Sequence, residues 1–107
     1  MNLPSPIHEY FDADSRRDGD ALIHTFAQDA VVKDEGASHM GREAIRAWWS
    51  AAKTKYQHAM EPLELAEQGD VMRVRTQVSG QFSGSPVTLT FAFRLEGDQI
   101  SGLEILG

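Results

Sequence analysis

None of the chain's 107 residues is a cysteine. Thiolate nucleophiles, disulfides and thiolate zinc sites are therefore excluded, and any chemistry falls to acids, tyrosine and histidine. The most telling acid is Asp34. It ends the run Ala30-Val31-Val32-Lys33-Asp34, which reads as a short strand stopped by Glu35-Gly36. Strand side chains alternate, so Asp34 shares a face with Val32 and Ala30. A carboxyl at the inner end of an apolar strand can face a pocket. It then loses hydration, holds its proton more tightly and becomes a better base. The competing reading is a solvated turn over Asp34-Glu35-Gly36.

Tyr10 lies 24 residues before Asp34, on the stripe Ile7, Tyr10, Phe11, Asp14. It is either a pocket group or a core aromatic whose hydroxyl finds a backbone carbonyl or water. Asp14, one helical turn after Tyr10, is the odd acid on that apolar stripe. It is a pocket group or a rim group near the helix end, and the rim is the preferred reading. Glu104 alternates with Leu103 and Ile105. The economical register turns the two large apolar residues inward and Glu104 to solvent. The opposite register makes Glu104 a second acid or a substrate anchor.

His39, in the loop Ser38-His39-Met40-Gly41, and His58, at the start of the later strands, can reach a pocket mouth. His8 and His24 read as helix surface. No histidine pair has i, i+4 spacing and no H-E-x-x-H occurs, so no metal and no cofactor is expected. Trp48 and Trp49 are adjacent. One belongs to the core and the other lines the pocket or a dimer contact.

Those residues need elements to position them. Ser5 as N-cap and Pro6 at the first helical position open a first helix, which ends near Arg16 to Gly19. A second short helix, capped by Asp18 or Asp20, turns Leu22, Ile23 and Phe26 inward. Gln28-Asp29 reads as a turn before the short strand. A third helix runs from Gly41-Arg42-Glu43 to Tyr56. Its buried stripe is Ala44, Ile45, Trp48, Trp49 and Ala52, and its wet side Arg46, Lys53 and Lys55. Four strands follow: His58 to Ala66, bent or edge-placed because of Pro62, then Val71 to Phe82, Val87 to Leu95 and Gln99 to Leu106. Phe91 and Phe93 share an inward face. The short links Ser83-Gly84-Ser85-Pro86 and Glu96-Gly97-Asp98 make these strands an antiparallel meander. Helices followed by an antiparallel sheet form the α+β class.

The composition narrows the function classes. Sixteen acids against ten Lys and Arg give a formal net charge of −6. That argues against a nucleic-acid partner, which needs a basic face. No apolar run approaches a bilayer span, and the first residues lack a signal-peptide pattern, so no membrane partner is expected. The absence of cysteine fits a reducing, cytoplasmic setting.

One stretch carries a family resemblance. It runs from Asp18-Gly19-Asp20-Ala21-Leu22 through Phe26-Ala27-Gln28-Asp29-Ala30-Val31-Val32-Lys33-Asp34 to Gly41-Arg42-Glu43-Ala44-Ile45. With the element order, it resembles the SnoaL-like and ketosteroid-isomerase-like branch of the nuclear transport factor 2-like superfamily. The resemblance covers almost the whole chain. It implies a single domain over residues 1–107, with a cone-shaped, mostly antiparallel curved sheet wrapped around the N-terminal helices. It implies a pocket in the cone, and a homodimer formed through the outer sheet face, which here carries Arg73, Arg75, Gln77 and Gln81. Asp34 matches the family's general-base aspartate and Tyr10 its oxyanion-binding tyrosine. In the family register Glu104 also falls on the pocket side.

Phe91 stands where the steroid isomerases hold a protonated aspartate, which argues against steroid isomerisation itself. The resemblance is specific for fold and poor for function. The implied function is a cofactor-free isomerase, cyclase or lyase moving a proton on a small apolar carbonyl compound. The alternative is a non-catalytic module for binding a small hydrophobic ligand or for dimerisation. In either case Asp14, His39, Trp48, Trp49, His58, Phe91, Phe93 and Glu104 are the expected pocket residues beside Asp34 and Tyr10.

Overall fold

A computed structural model describes residues 1–107. The elements are α1 (Ser5–Ser15), α2 (Gly19–His24), β1 (Phe26–Asp34), β2 (Ala37–Met40), α3 (Arg42–Tyr56), β3 (Ala59–Gln68), β4 (Val71–Ser79), β5 (Val87–Glu96) and β6 (Gln99–Leu106). The six strands form one curved, unclosed sheet in the order β2-β1-β6-β5-β4-β3. All neighbours are antiparallel except β1 and β6, which run parallel. The helices cover the concave face, giving the expected α+β cone.

The apolar stripes explain the packing. Ile7, Tyr10, Phe11 and Asp14 of α1 are all buried, as their spacing predicts. The Tyr10 ring meets Phe11, Phe26 and Phe93 edge-on, with centroids 5.3, 5.8 and 5.6 Å away. Along β4, Val74, Thr76 and Val78 point inward, and along β5, Phe91 and Phe93. Pro62 sits on the edge strand β3, where the register slips between Pro62 and Glu64. An edge strand tolerates a residue that lacks an N–H.

Several boundaries differ from the sequence reading. Pro4, not Ser5, caps α1, because the Pro4 carbonyl already accepts the His8 N–H at 2.9 Å. Asp18 does cap α2, accepting the Ala21 N–H at 3.0 Å. Gln28-Asp29 is not a turn. Both residues lie in β1, where the pairing with β6 slips between Phe26 and Val31, and this irregularity exposes them. The segment around His39 is the edge strand β2, joined to β1 by a tight hairpin. Its composition hides it: Ala37-Ser38-His39-Met40 contains no β-branched residue.

β4 ends at Ser79 rather than Phe82. Gly80 accounts for this, since a Cβ there would lie 2.5 Å from the Tyr56 carbonyl oxygen and 3.1 Å from the His58 Cα. The chain can pass beneath the end of α3 only without a side chain.

Lys53 is the clearest correction. It is buried rather than solvated, because Ile45, Trp49 and Lys53 follow at i, i+4, i+8 and share one face of α3.

Candidate functional site

A cavity of about 340 Å³ lies between the helices and the concave face. Twelve of its fifteen lining residues are hydrophobic, and the other three are Asp34, Glu35 and His58. An apolar cavity with a few convergent polar groups is the usual form of a small-molecule site.

β1 delivers Asp34. Ala30 and Val32 are fully buried, and by the same alternation Asp34 turns to the inner face. Glu35 (φ +52°) and Gly36 (φ +77°) form the two-residue turn that follows, with Asp34 and Ala37 as its closing pair. Positive φ at both turn residues is what a tight β-hairpin of this twist requires. The turn is therefore real, but Asp34 stands at its inner edge and is half-buried. Trp48 Nε1 donates to Asp34 Oδ2 at 3.0 Å. Burial holds the Asp34 carboxyl above its ordinary value, and the nearby Glu35 charge adds to this. The Trp48 hydrogen bond and His39 oppose it without prevailing.

α1 delivers Tyr10, which is 1% exposed and lines the cavity. Its hydroxyl makes no hydrogen bond within the protein, yet it is not sealed off from the cavity. Burial above all pushes the phenol well above its ordinary value, and the charges of Asp14 and Asp34 push it further. Tyr10 therefore stays protonated and can donate to a bound molecule.

Asp14 lies behind the cavity wall, in neither the pocket nor the rim. Three donors surround its carboxylate: Trp49 Nε1 at 2.8 Å, Lys53 Nζ at 3.1 Å and His58 Nε2 at 2.9 Å. Burial alone would raise its proton affinity. His58 outweighs that burial together with Trp49 and Lys53, and the carboxyl ends below its ordinary value. The adjacent tryptophans thus serve two different acids. Both also line the cavity, so neither is confined to the core.

The remaining candidates divide. His58 and Phe91 line the cavity. Phe93 is fully buried in the core beside Tyr10 and does not line it. His39 stands outside, with its ring centroid 6.0 Å from that of Trp48. Glu104 points to the outer face of the sheet, in a groove with Lys33, Arg73 and Arg94, because Leu103 and Ile105 take the inner side.

The sequence reading missed nine of the lining residues, Glu35, Tyr56 and Phe82 among them, and Lys53 as a partner of Asp14. The last could have been found. Asp14 and Lys53 both sit on buried stripes, and two opposite charges on two buried stripes imply a pair. No three His, Asp or Glu side chains are grouped as a metal site would require. No helix is long and apolar enough to cross a membrane.

The SnoaL-like domain profile matches residues 7–102. The chain belongs to the SnoaL-like domain family. Among solved structures, a "putative polyketide cyclase" of Sinorhizobium meliloti is 54% identical, with a TM-score of 0.93, covering 96% of this chain and 94% of that one. A hypothetical protein of Catenulispora acidiphila with a ketosteroid-isomerase-like fold, in complex with trimethylamine, is 20% identical at a TM-score of 0.84. That match covers 99% of this chain and 87% of the other. The epoxide hydrolase/cyclase-like enzyme SalBIII, of pyran ring formation in salinomycin, is 20% identical at a TM-score of 0.82. It covers 94% of this chain and 86% of its own. The two matches at 20% identity speak for the fold alone. No curated protein matches the chain.

Proposed function

We propose that this SnoaL-like protein is a cytoplasmic, cofactor-free enzyme that moves a proton on a small apolar carbonyl compound, as an isomerase, cyclase or lyase. Asp34 takes a proton from the carbon next to the carbonyl. Tyr10 donates its hydroxyl to the carbonyl oxygen as that oxygen gains charge. The electron pair then either reprotonates at another carbon or attacks a second electrophilic carbon. The observation that carries this reading is the pairing of two groups in one apolar cavity: a carboxyl held above its ordinary value and a hydroxyl with no protein partner. The high identity to the Sinorhizobium protein supports a cyclase within that class.

A positioned base contributes about 10²–10⁴-fold, and one oxyanion donor about 10²-fold. Exchange of the α-hydrogens of β-tetralone in heavy water, followed by mass spectrometry, tests both roles. Asp34→Asn is expected to lose at least about 10²-fold in exchange rate and Tyr10→Phe about 10²-fold. Wild-type rates in both variants would overturn the assignment.

One observation favours a second reading, a non-catalytic binder of small hydrophobic ligands. Phe91 lines the cavity, and by the family resemblance it takes the place of the steroid isomerases' second oxyanion donor. Retention of β-tetralone with no exchange would select that reading. We also propose a homodimer through the outer sheet face around Arg73, Arg75 and Gln77, which light scattering on the purified protein tests directly.

A further inference from the structure

We propose that the outer face of the sheet carries a second ligand site, a groove across β4, β5, β6 and β1 that binds a small monocarboxylate with an apolar tail. Arg73 and Arg94 take the carboxylate, and the tail lies over Ala92 and Gly102. The site is on the opposite side of the sheet from the cavity and does not depend on the proton-transfer reading.

Strand register makes the groove. One row across the outer face is Arg73, Ala92, Glu104 and Lys33, and the next is Val71, Arg94, Gly102 and Val31. Phe91, Phe93, Leu103 and Ile105 take the inner side, so alternation turns Ala92 and Gly102 outward. These two are diagonal neighbours on β5 and β6. A methyl group and a hydrogen thus stand among long side chains, and the space they leave is a groove of about 370 Å³.

Gly102 has no local reason to be glycine. It is not among the glycines with positive φ, and a Cβ there would meet nothing closer than 3.8 Å, an ordinary contact. Glycine inside a strand weakens it and marks a place where a ligand or another chain comes close.

Arg73, which lines the groove, is the second anomaly. Its Nε is the one buried side-chain polar atom in the molecule without a partner. Arg75 and Arg94, on the same face, each hold an acid: Glu64 at 3.1 Å and Asp70 at 2.8 Å. Arg73 holds none. A buried N–H left unpaired is costly, and such groups call for a bound water or ion. The guanidinium fork matches the two oxygens of a carboxylate, which would supply the missing partner.

Charge and shape select the ligand. Lys33, Arg73 and Arg94 line the groove against Glu104, a positive excess on a chain of net charge −6. Asp70 answers Arg94, and Glu104 stands beside Lys33 in the register. The Arg73 charge remains. That balance fits a monoanion, whereas a dianion gains little more from Arg73 and is repelled by Glu104. Val31 and Val71, at the two ends of the Gly102 row, give the tail apolar walls.

The test is a nitrogen-15 NMR titration of the full chain with benzoate, and with benzamide as its neutral twin. The Arg73 Nε–H and the Ala92 and Gly102 amides report the groove. The indole N–H groups of Trp48 and Trp49 report the cavity, which both residues line. Benzoate is expected to move the groove signals and leave the indoles in place. Benzamide is expected to bind the groove at least about tenfold more weakly, because it lacks the charge. Arg73→Gln is expected to weaken benzoate binding at least about tenfold. Gly102→Val fills the groove and is expected to abolish binding without lowering the unfolding transition. If it lowers that transition, Arg73→Gln decides alone.

Benzoate that moves only the indole signals would overturn the proposal, and so would benzamide that binds as tightly as benzoate. Binding by Arg73→Gln within about threefold of the unaltered protein would do the same. Copies of the chain pairing over the groove would leave its signals unmoved by benzoate, and the proposal would fall.

Discussion

Asp34 and Asp14 are the same residue type, each bonded to one of two adjacent tryptophans, and they end with opposite proton affinities. Asp14 is almost completely buried, yet three donors surround it, two of them groups that carry or can carry positive charge. Asp34 is only half-buried, but a single indole N–H is its side-chain donor, and of its two neighbouring charges Glu35 pushes its proton affinity up more than His39 lowers it. Burial favours the proton on both carboxyls, and the number and charge of the donors around each decide whether that push prevails. The two acids are thus set apart by position as well: the donor-saturated one lies behind the cavity wall, and the under-supplied one lines the cavity.

The strongest way to break this contrast is to empty the Asp14 site. Asp14→Ala leaves Lys53 buried without its counter-charge and is expected to cost about 3–5 kcal/mol in denaturant unfolding. Loss of less than about 1 kcal/mol would mean that the cluster relaxes to water. The same group sets an acid dependence. Its folded-state proton affinity lies below the unfolded value, so its stabilisation is full above the ordinary carboxylate range. It is lost as pH falls through the lowered folded value. Unfolding curves taken down that range should show it, and Asp14→Asn should flatten it.

Next in size is Trp48→Phe. Removing the indole N–H takes away the one side-chain bond that favours the charged Asp34. The loss in stability is expected near 1 kcal/mol. The acid limb of β-tetralone exchange should move to higher pH, because a base whose proton affinity has risen ionises later. A limb that moves down would overturn the assignment of that limb to Asp34.

Asp34→Asn is expected to go the other way from Asp14→Ala in stability. Ionising a carboxyl whose folded-state proton affinity is raised favours the unfolded chain, so removing that charge should raise stability at neutral pH by under about 1 kcal/mol. An inactive protein that is no less stable is the mark of a functional acid. The smallest effect belongs to Glu35→Gln. It removes a charge that pushes the Asp34 carboxyl up, so the acid limb should shift slightly down. An upward shift would mean that Glu35 acts through the turn rather than its charge.

Much of this contrast was legible in the residues themselves. Alternation along Ala30, Val32 and Asp34 turned Asp34 inward, and the stripe from Ile7 to Asp14 did the same for Tyr10. The Glu104 register followed from two flanking apolar side chains. What escaped was pairing over distance. Lysine is nearly always solvated, so Lys53 reads as surface even though its spacing from Ile45 and Trp49 places it on the buried face of α3. Two indoles on neighbouring residues reaching two acids cannot be read from spacing, since the turn of α3 sets which N–H faces which wall. β2 escaped because an edge strand without β-branched residues carries no periodic signal.

The most direct test is a carbon-13 NMR titration that resolves the Asp34 and Asp14 carboxyls in one sample of the unaltered protein. Asp34 is expected to titrate above the ordinary aspartate range and Asp14 below it. An Asp34 midpoint at or below that of Asp14 would contradict the claim that Asp34 is the acid free to carry a proton.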